Sequence, residues 1–353
     1  MRILDRYIAK AVIGGSLTVL LIIVSMELIF SFVEESGDID EDYSAFQALL
    51  HVGLTGPQRA YEAFPIATLI GSLMTLGGMA ARHELVVMRA SGMSVLNIGR
   101  SVMVAGLLLA LLAAAIGEWV APPAERASLE VEAQARGGDV SMLSRDGFWA
   151  RDGQRFISVG SAPSASLLED VRIYAFDEER RMREVLTATR AAYANGGWNL
   201  HDVQRNRFVE GNVETEREQD YFWEAGLEPQ VLDVVVVDPE TLSMAELWTY
   251  IRYLQRNELE SDRYELALWL KIGTPIATLT MLLLTIPLAF GSLRSTGAGQ
   301  RIFVGVMIGI AFYLTNRLLN HLGLVYGIPP MISALLPTLI CLAAAIYFTA
   351  RIR

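Results

Sequence analysis

A membrane α-helical fold, with six transmembrane helices and an inserted extracytoplasmic all-β jelly-roll-like domain, is predicted by three observations. The apolar residues gather in blocks toward both ends of the chain, and the charged residues gather in the middle. Short basic segments alternate with the apolar blocks, the pattern that marks one side of a membrane. The averages alone hide this: 353 residues, 52% hydrophobic, mean hydropathy +0.35. That excess is small beside an ordinary soluble chain, so the segregation carries the prediction.

Crossing the hydrocarbon core takes about 20 apolar residues in a helix. The first span runs from about Ala11 to Phe32, the second from Phe64 to Ala81 and the third from Val102 to Ala121. The others run from about Ala267 to Phe290, Ile302 to Leu322 and Met331 to Ala350. The second is glycine-rich and is read as opening at Pro65. The first block is too long for a removable signal peptide and lacks a small-residue cleavage site. Arg2, Arg6 and Lys10 precede the first span, Arg82, Arg89 and Arg100 follow the second, and Arg294 and Arg301 follow the fourth. Arg351 and Arg353 end the chain. Short basic loops stay in the cytoplasm, so both termini are expected there. The acidic stretch from Glu34 to Asp42 faces the other side.

The chain then divides into residues 1–121 (three spans and a cytoplasmic helix near 82–94), 122–262 (a periplasmic β domain plus a connecting helix) and 263–353 (three spans). In the middle part, Asp152-Gly153 marks a hairpin turn between Phe148–Arg151 and Arg155–Val159. Val171 to Phe176 alternates, with Val171, Ile173 and Ala175 on one face. Asn195-Gly196-Gly197 marks a second turn before an alternating run from Trp198 to Phe208, and Val231 to Val237 reads as a further strand. Ser243-Met244-Ala245-Glu246 is a capping box opening an amphipathic helix to about Arg256. His201 is a lone histidine on a strand and is read as structural.

Net charge −10 argues against nucleic acid as a partner. Cys341 is the one cysteine, so no intrachain disulfide or cysteine metal site can form. Within the spans, Glu27, Glu118, Lys271 and Arg317 each need a reason, since a charge at the bilayer centre costs about 2.5–3.5 kcal/mol on insertion scales. Lys271 could snorkel to headgroups or touch a substrate. Arg317 could meet lipid phosphates or pair with Glu27. The segment Ala81 to Ser94 has helical periodicity, with Leu85, Val86, Met88 and Met93 as an apolar side and Gly92 as a stop. Spacing alone favours an interfacial anchor over a helix that docks on an ATPase subunit.

Several blocks resemble the LptG-type permeases of the LptF/LptG family, which serve the lipopolysaccharide export ABC transporter. They are Leu4-Asp5-Arg6-Tyr7-Ile8, Glu84 to Met88 with Ala90-Ser91-Gly92, and Gly117-Glu118-Trp119-Val120-Ala121-Pro122. Ile173 to Phe176, Arg263-Tyr264 with Trp269 and Lys271, and Tyr326-Gly327-Ile328-Pro329-Pro330 follow in the same order. The Glu-Trp-Val-Ala-Pro block is the part that resembles LptG-type rather than LptF-type members. The resemblance implies a place in the bacterial inner membrane, pairing with an LptF-type permease, two copies of the LptB ATPase beneath, LptC from the outside, and lipopolysaccharide as substrate. It turns residues 82–94 into a coupling helix, with Arg82, Glu84, Leu85, Met88, Arg89 and Gly92 as its working residues. It makes Glu27, Phe32, Lys271 and Arg317 candidates for lining a lipid cavity. No Walker A sequence occurs, so no catalytic residue, cofactor or metal is expected in this chain, and ATP is used by the partner. Some members carry basic residues at the outer end of the first span and just after the third. Here those places hold Ser31, Glu34, Glu35, Asp38, Leu129, Glu130 and Glu132, so phosphate contacts would pass to the partner permease, to divalent ions, or to Arg126 and Arg136. A secondary transporter would need coupling-ion chemistry at midplane and repeats, of which only Glu27 is visible. An ATP-driven mechanical transmitter would share the docking helix without a lipid-sized cavity.

Overall fold

The computed structural model describes residues 3–38, 43–135, 148–152, 154–164, 166–177, 181–194, 196–209, 212–223, 239–290 and 297–351. Two units result. One holds Met1–Asp38, Ala48–Glu125 and Asp262–Arg353; the other holds Ile39–Gln47 and Arg126–Ser261. The strand expected at Val231 to Val237 lies outside the described residues.

Among the described residues, the helical unit contains six helices long and apolar enough to cross a membrane. Helix α1 spans Ile3–Glu35 and α2 Ala45–Ala81. A short α3, Glu84–Ala90, precedes α4, Val95–Ala115, which passes through a π turn at Ile116–Val120 into α5, Ala121–Ala135. Helix α2 starts at Ala45 rather than near Phe64, because Pro57 and Pro65 are absorbed inside it. A proline in a membrane helix is tolerated when neighbours satisfy the freed carbonyl. Helices α2 and α7 (Asp262–Phe290) form the interior, with 72% and 61% of their apolar windows buried. In α1 and in α8 (Ala298–Tyr326) only 11% is buried. The last helix, α9, runs Pro330–Ala350.

Glycines set the closest approaches. A Cβ on Gly71 of α2 would lie 2.5 Å from the Ser16 Cα and 2.6 Å from the Gly15 carbonyl oxygen of α1. On α8, Gly305 and Gly309 face Ile70, Leu73 and Ile66 of α2, and Gly77 of α2 lies under the buried Arg301. Small residues one turn apart let helix backbones meet without a driving force from water.

In the second unit six strands among the described residues pair in sequence order as one antiparallel meander: β1 Phe148–Asp152, β2 Arg155–Ser164, β3 Leu167–Phe176, β4 Met182–Ala194, β5 Gly197–Val209 and β6 Asn212–Trp223. The inserted domain is all-β in its sheet, as predicted, with hairpins at both expected turns and Gly196 at φ +81°. Its connectivity among the described strands is a plain meander, without the crossover of a Greek key. A transverse crease runs through it. Between β2 and β3 the paired positions skip Gly160 and Asp170, and Asp170 and Asp202 adopt φ +50° and +53°. The pairings on either side of Thr189 and Asp202 are broken in the same row. Across this row the buried set slips by one residue: Val171 and Ile173 against Leu168, Leu186 and Ala188 against Ala191, Val203 against Leu200. Strict alternation would have turned the second half inside out. The crease keeps both halves apolar on one face. His201 Nδ1 lies 2.5 Å from Asp220 Oδ1 in an exposed cross-strand pair beside it.

Helix α6, Met244–Arg256, opens with the predicted capping box. The Ser243 amide and hydroxyl donate to Glu246 Oε2 at 2.8 and 2.7 Å, and the Glu246 amide returns a bond to Ser243 Oγ at 3.3 Å. Arg126 Nη2 also donates to Glu246. Burial pushes the Glu246 carboxyl up, but the Ser243 bonds and Arg126 together hold it below its ordinary 4.5. A folded value below the unfolded one stabilises above about pH 4.5, and that contribution disappears as pH falls through the lowered folded value. Glu246→Ala should therefore destabilise α6 by about 1 kcal/mol at neutral pH. Hydrogen exchange of the α6 amides reads this, and the difference from the parent should shrink on acidification.

Candidate functional site

Helix α3 is built by its two ends. His83, at φ 63°, makes the sharp exit from α2. At the other end Gly92, at φ 93°, donates its amide to the Arg89 carbonyl at 3.0 Å, and Met93 donates to the Met88 carbonyl at 3.1 Å. That pair of bonds is a Schellman closure, and it needs a residue without a Cβ at the left-handed position. Met88 and Met93, the two residues such a closure brings together, are both buried in the same core. Ser94 then caps α4 by accepting from the Asn97 amide at 3.2 Å.

The apolar side of α3 divides. Leu85 and Met88 are buried among Ile8 and Val12 of α1, Leu76 and Met79 of α2, Ile98 and Val102 of α4, and Leu282 and Ile286 of α7. Val86, Val87, Arg89 and Arg82 are exposed. The two buried residues are anchors, and the outward face is valine and arginine. Glu84 is fixed on both carboxylate oxygens: Arg82 Nε donates to Oε1 at 2.6 Å and the Tyr7 hydroxyl to Oε2 at 3.0 Å. The Arg82 bond first, and the Tyr7 bond with it, hold the Glu84 carboxyl below the usual range.

The charges predicted to lie in the membrane are held by different neighbours. Lys271, on α7, is 5% exposed. Its Nζ donates to the Gly117 carbonyl at 2.6 Å and lies 5.9 Å from the centre of the Tyr61 ring, while the Tyr61 hydroxyl donates to the Lys271 carbonyl at 3.1 Å. It does not snorkel. Ala121 donates its amide to Ile116, five residues back, so the next donor in that register is Pro122, which has no N–H. The Gly117 carbonyl is thus left without a helical partner, and the lysine supplies one. Arg317 is exposed on α8 and donates to the Tyr313 hydroxyl at 2.9 Å, one turn back. Glu27 lies instead in the field of Arg59, on α2. Phe32 is half-buried at the end of α1.

Sequence reasoning gave no role to Arg59, Tyr61 or Tyr7. Arg59 donates to Ser31 Oγ at 2.5 Å and to Thr55 Oγ1 at 3.0 Å. It brings a cation from α2 to the end of α1, where α1 itself has only acids. The signal was present: an arginine inside a helix once α2 is extended back to Ala45. Of the two alternative basic residues, Arg126 is engaged by Glu246, and Arg136 lies outside the described residues.

The sequence pattern described as "Lipopolysaccharide export system permease LptF/LptG" matches residues 6–351. "Lipopolysaccharide export system permease protein LptG" of Haemophilus influenzae is 35% identical over 340 residues, covering 96% of this chain and 95% of that protein. The Escherichia coli K12 protein of the same name is 36% identical, covering 95% and 94%. The E. coli K12 protein named LptF is 30% identical over 135 residues, covering 38% of this chain. With six membrane-spanning helices, an inserted β-sheet and relatives aligned over nearly their full length, the chain belongs to the lipopolysaccharide export system permease family LptF/LptG.

Proposed function

We propose that this chain is the LptG-type half of a permease pair that extracts lipopolysaccharide from the bacterial inner membrane. An LptF-type chain is the other half, two LptB subunits hydrolyse ATP on the cytoplasmic side, and LptC joins from the periplasm. The observation that carries the reading is the near-full-length likeness to two LptG proteins against a partial likeness to LptF. Geometry supports three parts of it. Helix α3 is locked from inside by Leu85 and Met88 and turns Val86, Val87 and Arg89 outward, which suits a rigid knob for an ATPase groove. Helices α1 and α8 leave apolar faces open, including Ile22, Met26 and Ile29 on one and Phe303, Met307 and Ile310 on the other. Such faces suit lipid and a second permease. The creased sheet, apolar on one face, suits passage of acyl chains.

In this arrangement the α3 end faces the cytoplasm, with both termini, and the sheet lies in the periplasm. Neither a secondary transporter nor a purely mechanical transmitter accounts for relatives named as export permeases across the whole chain. Glu84→Lys is the test of the docking assignment. Reversing a fixed charge in an interface should cut recovery of the ATPase with the purified permease pair on the order of tenfold, and export with it. Unchanged recovery and unchanged export would remove α3 from the coupling role.

A further inference from the structure

We propose that Tyr7 is a positioning residue that links the docking helix α3 to the first span, so that events at Glu84 reach α1 through one phenol. The proposal rests on the docking role of α3 given above and adds the route by which docking reaches the membrane.

Tyr7 and Glu84 are 77 residues apart, on α1 and α3, and are joined by the 3.0 Å bond from the phenol to Oε2. The other carboxylate oxygen is taken by Arg82. Each oxygen keeps a second lone pair, but both already hold one donor from this chain. A partner's cation that approaches this carboxylate must share or displace one of the two donors. Arg82 is 65% exposed in its side chain and can swing away into water. Tyr7 is 46% exposed and its ring can turn too, but its backbone is fixed, because its neighbour Ile8 is fully buried in the core that holds Leu85 and Met88. Asp5, two residues earlier, accepts from Ser101 of α4 at 2.8 Å. The foot of α1 is thus held to α3 and α4 by polar bonds and to the core by Ile8 and Val12. Most of the length above it is open, with Leu21, Ile22, Met26, Ile29, Phe30 and Val33 exposed. The same helix meets α2 at the Gly15–Gly71 crossing and, through Ser31, at Arg59, so a displacement at the foot is carried along α1 to those contacts.

The experiment uses the whole complex in proteoliposomes, reading lipid released per ATP hydrolysed. Tyr7→Phe removes the hydroxyl and keeps the ring, so the ATPase should co-purify at the parent level while the ratio falls about fivefold, the lower range of coupling between linked sites. Glu84→Asp withdraws the carboxylate from the phenol while keeping its charge, and should lower the same ratio. In a double-mutant cycle, Tyr7→Phe with Glu84→Ala should be no worse than Glu84→Ala alone, since either change removes the same bond. A packing role for Tyr7 would lower the melting temperature and leave the ratio alone. A parent-level ratio in Tyr7→Phe, or losses that multiply in the double variant, overturns the link. Failure of the ATPase to co-purify with the parent would overturn the docking role first and this inference with it.

Discussion

Replacing Gly71 by leucine is expected to abolish the folded permease, and even Gly71→Ala should damage it. The α1–α2 crossing leaves no space there: a Cβ would sit 2.5 Å from one backbone atom of α1 and 2.6 Å from another. Neither neighbour is the end of a flexible side chain, so the two helices must part. Overpacking in a tight interior costs about 1–3 kcal/mol for the smallest insertions. Parting α1 from α2 also uncovers the packing of Leu20 against Ala63, Phe64 and Ala67. Gly78 is the control. A Cβ there meets only a guanidinium nitrogen of Arg82 at 3.8 Å, so Gly78→Ala should be neutral or slightly stabilising, because alanine is the better helix former. The amount of detergent-stable protein and its melting temperature read both. Equal behaviour of Gly71→Ala and Gly78→Ala would overturn this account of the crossing.

The two glycines show where sequence stopped being informative. Both lie in a stretch whose composition says only that helices can pack closely, and the partner of each is set by crossing geometry. Span number was legible because hydropathy and length are local properties. Span ends were less so: α1 reaches back to Ile3 past Arg6 and Lys10, since a helix does not stop where the lipid does. Pro65 was read as an opening residue and is internal. The capping box at Ser243 and the stop at Gly92 were legible because each is written in a few adjacent residues. The crease at Asp170 and Asp202 was not, because a phase slip looks like ordinary alternation until both sides of it are seen buried. The same limit applies to the candidate site. The segment around Glu84 was found by pattern. Which of its apolar residues anchor and which face outward required the core, and the grip of Tyr7 on Glu84 joins two segments with no local signal.

Lys271→Met should destabilise the chain more than any other single change of a charged residue within the spans. Methionine keeps the length and apolar stem but leaves the Gly117 carbonyl without its donor. A buried unsatisfied carbonyl costs about 1–3 kcal/mol, and the melting temperature of the detergent-purified permease should fall whether or not lipid is present. Pro122 is the reason the lysine is needed, since the amide that would meet Gly117 in the π register is the one a proline lacks. Restoring that amide should therefore compensate: Lys271→Met with Pro122→Ala should regain part of the lost stability, although the proline change alone does little. A lysine whose task was to bind lipid phosphate would behave otherwise. Its removal would weaken lipid cross-linking while leaving the melting temperature alone, and no substitution at Pro122 could rescue it. The compensating pair thus separates a pin that holds α7 against the end of the third span from a ligand for the cargo. It does so with two purified variants and one unfolding curve for each.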